Sequence, residues 1–323
     1  MAASDGDAAP EAPPRDLAAA LEPALHAACK GRLSHPNWFR TDWQRGGAAT
    51  GFAQWRGADG ATFEVVVKMP VHPRELRWLR RVGTMGDRHL PRLFESGEAL
   101  GGYDLAWVVI ERLEHGPLLV EWTPECVDPM AKAAVAFSHL AASHPVDPLP
   151  PEPDWRGQIA EARRKVKELR LDGTKIWNGT LRETDRRLDE LLETWAARNP
   201  LEWIHGDLHP GNAMTRGEAR PPKEVCLIDF AEVRVGHWVE DAVYLERLHW
   251  VHPERIAGHQ PVKAIAAARK GCGLDNGSDH QRLAAIRRLL MAATAPAFAK
   301  TEGSPIYLEV CLAKAEEAIR SLK

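Results

Sequence analysis

Hydrophobic positions recur with two different periods along this chain, and the change comes about a third of the way in. Leu17, Leu21, Leu25 and Ala28 fall at helical spacing and predict a helix over 17–28. Trp38-Phe39-Arg40-Thr41-Asp42-Trp43 then reads as a strand, and Gly46-Gly47-Ala48-Ala49-Thr50-Gly51 breaks the pattern. Phe52–Trp55 and Phe63–Lys68 are β-prone runs flanking Arg56-Gly57-Ala58-Asp59-Gly60, and the Asp-Gly step predicts a hairpin. A short helix follows, with Pro73 near its start and Leu76, Leu79 and Val82 lining one face. Glu75, four residues before Leu79, falls near the same face. Leu93–Glu98 and Trp107–Leu113 read as two more strands around Gly101-Gly102. The first third is therefore expected to be antiparallel β with one internal helix.

After Gly116-Pro117 the spacing becomes helical. Helices are predicted over Pro129–Ser143, Trp155–Arg170 (after a Pro-rich connector, His144–Pro153) and Leu181–Arg198, the last with Leu188, Leu191, Leu192 and Trp195 on its apolar side. Four more follow at Val239–His249, Pro261–Lys270, Asp279–Ala293 and Pro305–Ser321. Residues 203–230 interrupt this helical run. The apolar approach Leu201-Glu202-Trp203-Ile204 opens into the polar loop His205-Gly206-Asp207-Leu208-His209-Pro210-Gly211-Asn212. A Gly- and Pro-rich tip follows, and a second apolar run, Val225–Ile228, delivers Asp229. This reads as a loop with a short strand pair that gathers two carboxylates and a carboxamide. Oxygen donors of these types suit hard cations, with one carboxylate left to accept a proton.

Composition alters this picture only at the edges. The chain has 323 residues, 44% hydrophobic and 27% charged, with a net charge of −3, so any recognition by charge has to be local, and neither nucleic acid nor a membrane is an expected partner. Five scattered cysteines with no CxxC pair favour reduced thiols and a cytoplasmic protein. No run of about 18 uncharged apolar residues occurs. Residues 1–16, rich in Ala, Pro and acids, read as a disordered leader rather than a signal peptide.

The loop His205–Asn212 followed by Ile228-Asp229-Phe230 resembles the catalytic core of the aminoglycoside phosphotransferase and choline kinase family, small-molecule relatives of the protein kinases. The resemblance covers about residues 35 to 300. It implies a bilobal α+β protein-kinase-like fold, with an antiparallel-sheet N-lobe over 17–112 and a mainly helical C-lobe over 113–323. It also implies ATP and Mg²⁺ as cofactors. On the kinase pattern Asp207 takes the place of the catalytic base, while Asn212 and Asp229 take the places of the metal ligands. Lys68, ending Val65-Val66-Val67-Lys68, looks like the strand lysine that contacts the α/β-phosphates, and Glu75 is its candidate partner. Gly46, Gly47 and Gly51 would belong to the loop over the phosphates, and Glu111 to Leu113 to the hinge that meets adenine through backbone groups.

Two departures stand out. Ala231 replaces the DFG glycine, and His209 sits two residues after the base, where it either stabilises transferred charge or caps the loop. Gly206, Pro210 and Gly211 argue against a helical His205/His209 zinc pair. Asp241 reads as structural first. Glu240-Asp241 follow Asp229 within about a dozen residues, which leaves no room for a peptide platform and points to a small-molecule acceptor with a free hydroxyl. Glu232, Glu240, Glu246 and Glu316-Glu317 are the acids available to a cationic acceptor; Trp238, Tyr244 and Trp250 could line an aromatic pocket, but helix core is the favoured reading for them. Two other readings stay open: a catalytically silent nucleotide-binding module and a kinase acting on protein.

Overall fold

The computed structural model describes residues 14–39, 48–217, 221–301 and 303–323. Gly46, Gly47, Arg40–Trp43 and residues 1–13 of the expected leader lie outside the described residues. The chain divides into two compact units, residues 1–113 and 114–323.

In the first unit α1 (Pro14–Ala28) leads into β1 (Asn37–Phe39), β2 (Ala49–Arg56), β3 (Thr62–Met69), α2 (Pro73–Val82), β4 (Leu93–Gly97) and β5 (Trp107–Glu111). The helix starts at Pro14, inside the segment expected to be leader; the fixed φ of proline suits a first helical position. Its inward face is Ala18, Leu21, Leu25 and Cys29, whereas Ala28, placed on that face by spacing, is exposed. The five strands form one antiparallel sheet in the order β1-β2-β3-β5-β4. Along β3 the period of two sends Val65, Val67 and Met69 into the core and leaves Val66 and Lys68 on the other face. That core joins the α1 face to Ala53, Trp55, Trp107 and Val109.

The strand expected after Pro36 covers only Asn37–Phe39 of the described residues, and the loop expected to run to Gly51 ends by Ala48. Gly51 is already inside β2, opposite Trp38 and Val67. A Cβ there would come within 3.0 Å of the Trp38 ring, so glycine is needed for strand packing rather than for a turn.

The second unit is helical around a small irregular centre. Its elements are α3 (Val127–Ala141), α4 (Trp155–Glu168), α5 (Thr174–Arg186), α6 (Leu188–Ala196), β6 (Glu202–Ile204), β7 (Ala213–Met214), β8 (Cys226–Leu227), β9 (Arg234–Gly236), α7 (Val239–Arg247), α8 (Pro261–Gly271), α9 (His280–Thr294) and α10 (Pro305–Ser321). The single helix expected over Leu181–Arg198 is two. The first begins at Thr174, after Gly173 in the left-handed region (φ 69°), and already buries Trp177 and Thr180. The break falls at Arg187, whose backbone leaves helical values (φ −101°, ψ 0°) while its guanidinium donates to the Leu322 carbonyl. α3 packs on α8 and β6, and α9 on α10. No helix among the described residues is long and apolar enough to cross a membrane. All five cysteines are free thiols, and only Cys272 is exposed.

Candidate active site

In the first unit, Lys68 and Glu75 meet. Pro73 opens α2, the His72 ring caps it by accepting the Arg74 amide at 3.2 Å, and this sets Glu75 in the first turn. Lys68 Nζ donates to both Glu75 carboxylate oxygens at 2.9 Å. The Glu75 side chain is 5% exposed and the Lys68 side chain 21%, so the acid is held firmly while the ammonium keeps an open side. At the end of β5 the Glu111 and Arg112 amides donate to the Arg92 and Glu64 carbonyls at 2.8 and 3.1 Å. The Leu113 amide makes no backbone hydrogen bond among the described residues.

In the second unit, Asp207, Asn212 and Asp229 are brought together by strand pairing. β6 pairs with β9, and β7 pairs with β8 in the register Ala213↔Leu227 and Met214↔Cys226. The Ile228 amide donates to the Asn212 carbonyl at 3.0 Å, so Asp229 follows directly on the residue bonded across the last rung to Asn212. Asn212 Nδ2 donates to the Asp207 backbone carbonyl (3.1 Å) and to Asp207 Oδ2 (3.0 Å). With both amide hydrogens on Asp207, Asn212 Oδ1 is the atom left for a cation.

Asp229 is held at φ 63°, a left-handed conformation that costs a non-glycine residue about 1–3 kcal/mol and collects at functional sites. Its carboxylate has no hydrogen bond or ion pair with a described residue. Two uncommitted oxygens of this kind fit a hard, oxygen-seeking ion such as Mg²⁺ and would be poor ligands for a thiophilic one.

The loop is pinned from α7. Asp241, 5% exposed, accepts the His205 amide at 2.8 Å through Oδ2 and the Gly206 amide at 2.9 Å through Oδ1. His205 is buried between Phe137 and Phe230, with Nε2 3.1 Å from the Ile228 carbonyl. Gly206 turns at φ 81°, and a Cβ there would lie 2.1 Å from the Glu232 carbonyl oxygen. Only glycine fits.

His209 Nδ1 accepts the Gly211 amide at 2.9 Å, which puts the ring proton of the neutral form on Nε2, 3.4 Å from Asp207 Oδ2. His209 thus caps the loop and faces the carboxylate at once. Burial alone would push the Asp207 carboxyl up, but hydrogen bonds from His209 and Tyr244 and the nearby imidazoles bring it down to about 2. Asp207 is therefore an ionised acceptor throughout the neutral range. Tyr244 as a partner of Asp207 was not legible in the sequence, where it read as a pocket or core aromatic. Its spacing from Asp241, three residues on along α7, is the signal that could have found it.

The profile of the phosphotransferase enzyme family, APH, matches residues 29–286, about four-fifths of the chain. The chain belongs to this phosphotransferase family. Among solved structures, an aminoglycoside phosphotransferase from Alicyclobacillus acidocaldarius subsp. acidocaldarius is similar at 17% identity, with 90% of each chain covered and a TM-score of 0.57. A candidate aminoglycoside phosphotransferase from Ralstonia eutropha is similar at 14% identity, covering 93% of this chain and 98% of that one, with a TM-score of 0.54. At these identities the likeness establishes the fold, a kinase-like α+β architecture. Curated protein sequences give no match.

Two of the acids expected to be available to a cationic acceptor are already committed to other partners. Glu240 lies 3.3 Å from Arg198 Nε and 2.8 Å from Arg234, and it accepts the His237 amide at 3.0 Å. Glu246 accepts from both Arg288 Nε (2.8 Å) and NH2 (2.7 Å). Both acids are buried and their charges are taken up by arginines, so they are not an acidic lining for an acceptor. Trp238 and Trp250 are buried in the core, and Glu232 remains exposed.

Proposed function

We propose that this phosphotransferase moves the γ-phosphoryl group of ATP, with Mg²⁺, onto a hydroxyl of a small molecule, an aminoglycoside or another amino-alcohol or sugar. The observation that carries the reading is the junction of Asp207 and Asn212. An ionised carboxylate is held by the amide hydrogens of a residue whose oxygen stays available, directly across a strand rung from the segment bearing Asp229.

In this reading Asp207 accepts the proton of the attacking hydroxyl and aligns it. His209 and Tyr244 keep the carboxylate charged and fixed in place. Asn212 Oδ1 and Asp229 would hold Mg²⁺, which when bound supplies positive charge to the transferred phosphoryl group. Lys68, oriented by Glu75, contacts the α/β-phosphates, and the backbone beyond β5 meets the base, with the Leu113 amide as the available donor. A small acceptor is favoured because α7 begins at Val239, ten residues beyond Asp229. That interval is filled by the turn Phe230–Glu232 and by β9, leaving no segment to seat a peptide.

The test is acceptor-dependent ADP release from the full chain, screened over aminoglycosides, macrolides, amino-alcohols and sugars. At least one acceptor should stimulate release, and Asp207→Asn should lower turnover by about 10²–10⁴-fold with nucleotide binding retained. Transfer of labelled phosphate to peptides but to no small alcohol would overturn the acceptor class. Unaltered turnover in Asp207→Asn would remove Asp207 as the base.

A further inference from the structure

The described residues contain one group of three side chains with metal-ligand chemistry outside the site above: Glu22, His26 and His35 in the first unit. One carboxylate oxygen and one ring nitrogen from each histidine all lie within 4.8 Å of one another. Glu22 and His26 are four apart in α1 and share a face, and His35 reaches them from the turn between α1 and β1. His35 Nδ1 lies 2.5 Å from Glu22 Oε1, and the two imidazole centroids are 4.9 Å apart. The Trp38 indole donates to the second carboxylate oxygen, Oε2, at 3.3 Å, an outer hydrogen bond of the kind that orients a ligating carboxylate. His26 Nε2 is buried and has no partner among the described residues. An orphaned buried ring nitrogen beside a second imidazole and a carboxylate is costly unless something accepts its lone pair.

We propose that Glu22, His26 and His35 form a binding site for a divalent transition-metal ion of the zinc class. Two imidazoles and one carboxylate are a three-ligand donor set for zinc, with water completing the tetrahedron. They would be an unusual choice for Mg²⁺ or Ca²⁺, which seek oxygen. Bonds of about 2.0–2.1 Å place tetrahedral ligand atoms roughly 3.3 Å apart. The set therefore adjusts by about an ångström or so, with the Glu22–His35 edge opening and the His26 edge closing. His35 can make that movement, because its side chain is 87% exposed.

The ion would clamp the middle of α1 to the chain that enters β1. Ala18, Leu21 and Leu25 of the same helix, with Cys29 just beyond its end, cover the sheet core, so the site is a staple on the packing of α1 and stands apart from phosphoryl transfer.

The test uses the untagged full chain, stripped with chelator and titrated with Zn²⁺ by calorimetry and with Co²⁺ by visible absorption. One equivalent should bind, the cobalt form should show the intense bands of a tetrahedral site, and saturating Zn²⁺ should raise the melting temperature. His35→Ala, at an exposed position, should fold normally and lose the equivalent, the cobalt bands and the thermal shift together, while the metal-free melting temperature changes little. His26→Ala should do the same. Absence of stoichiometric binding in the wild-type chain would overturn the proposal, as would an equivalent that survives both substitutions. In either case the cluster is a plain Glu–His hydrogen-bonded contact.

Discussion

Asp241→Asn isolates the contact that sets the loop bearing Asp207. In the native chain each Asp241 oxygen takes one of two consecutive amides, those of His205 and Gly206, immediately before Asp207. Asparagine has the same shape but a single acceptor oxygen, so one of these bonds survives without its charge and the other becomes a donor facing a donor. A hydrogen bond to a charged group contributes about 1.5–3 kcal/mol, and an unpaired buried amide costs about 1–3 kcal/mol more. Burial pushes the Asp241 carboxyl up, so removing the charge returns part of this. The net cost is about 2–4 kcal/mol. In a chain of 323 residues that lowers the melting temperature by roughly 3–6 °C. Below the transition, where the variant is folded, turnover should still fall by at least about tenfold, because a misplacement near 1 Å at Asp207 is enough. The assay pairs thermal denaturation with single-turnover phosphoryl transfer at 15 °C. A variant whose melting temperature and turnover both match wild type would refute the role assigned to Asp241.

Three further outcomes follow from the same geometry. Gly206→Ala places a Cβ 2.1 Å from a backbone oxygen at φ 81°, so the loop must move. A loss of about 3 kcal/mol or more in denaturant unfolding and near-complete loss of turnover are expected. Glu75→Gln keeps the shape beside Lys68 but removes its counter-charge, and should lower kcat/KM for the nucleotide about 10–100-fold while leaving the acceptor KM unchanged, as measured in initial-rate kinetics. His237 and His249 are both pushed from 6.5 to about 4, chiefly by burial, so each is neutral when folded and takes up a proton more readily when unfolded. Stability they support is present above about pH 6.5 and lost as pH falls towards 4, on the order of 1–3 kcal/mol each. His249, stacked on Trp122 at 5.1 Å with neither ring nitrogen partnered among the described residues, offers a direct check. His249→Phe should be neutral or stabilising at pH 7 and should flatten the acid limb of stability against pH by one proton.

The chain by itself determined the element types and the order of the chemistry. The β-prone runs on either side of the Asp-Gly turn specify the hairpin, and Asp207, Asn212 and Asp229 are legible because their order and spacing are set within one short stretch of chain. Glu75 was placed near an inward helix face by spacing alone, and the sheet register then put Lys68 within 2.9 Å of it. What only the tertiary structure decided depends on which distant residues share a neighbour. Glu240 and Glu246 read as free acids until Arg198, Arg234 and Arg288 arrive from other elements to neutralise them. The helix over 181–198 breaks at Arg187, where the contact with Leu322 lies 135 residues away. Asp241, read from the sequence as structural first, becomes the anchor of two amides, and Tyr244, read as a pocket or core aromatic, becomes a partner of Asp207, because α7 packs behind the loop. Local periodicity carries no information about such partners. They exist only after the chain has closed, when a buried charge or amide must be matched by whatever the packing brings to it.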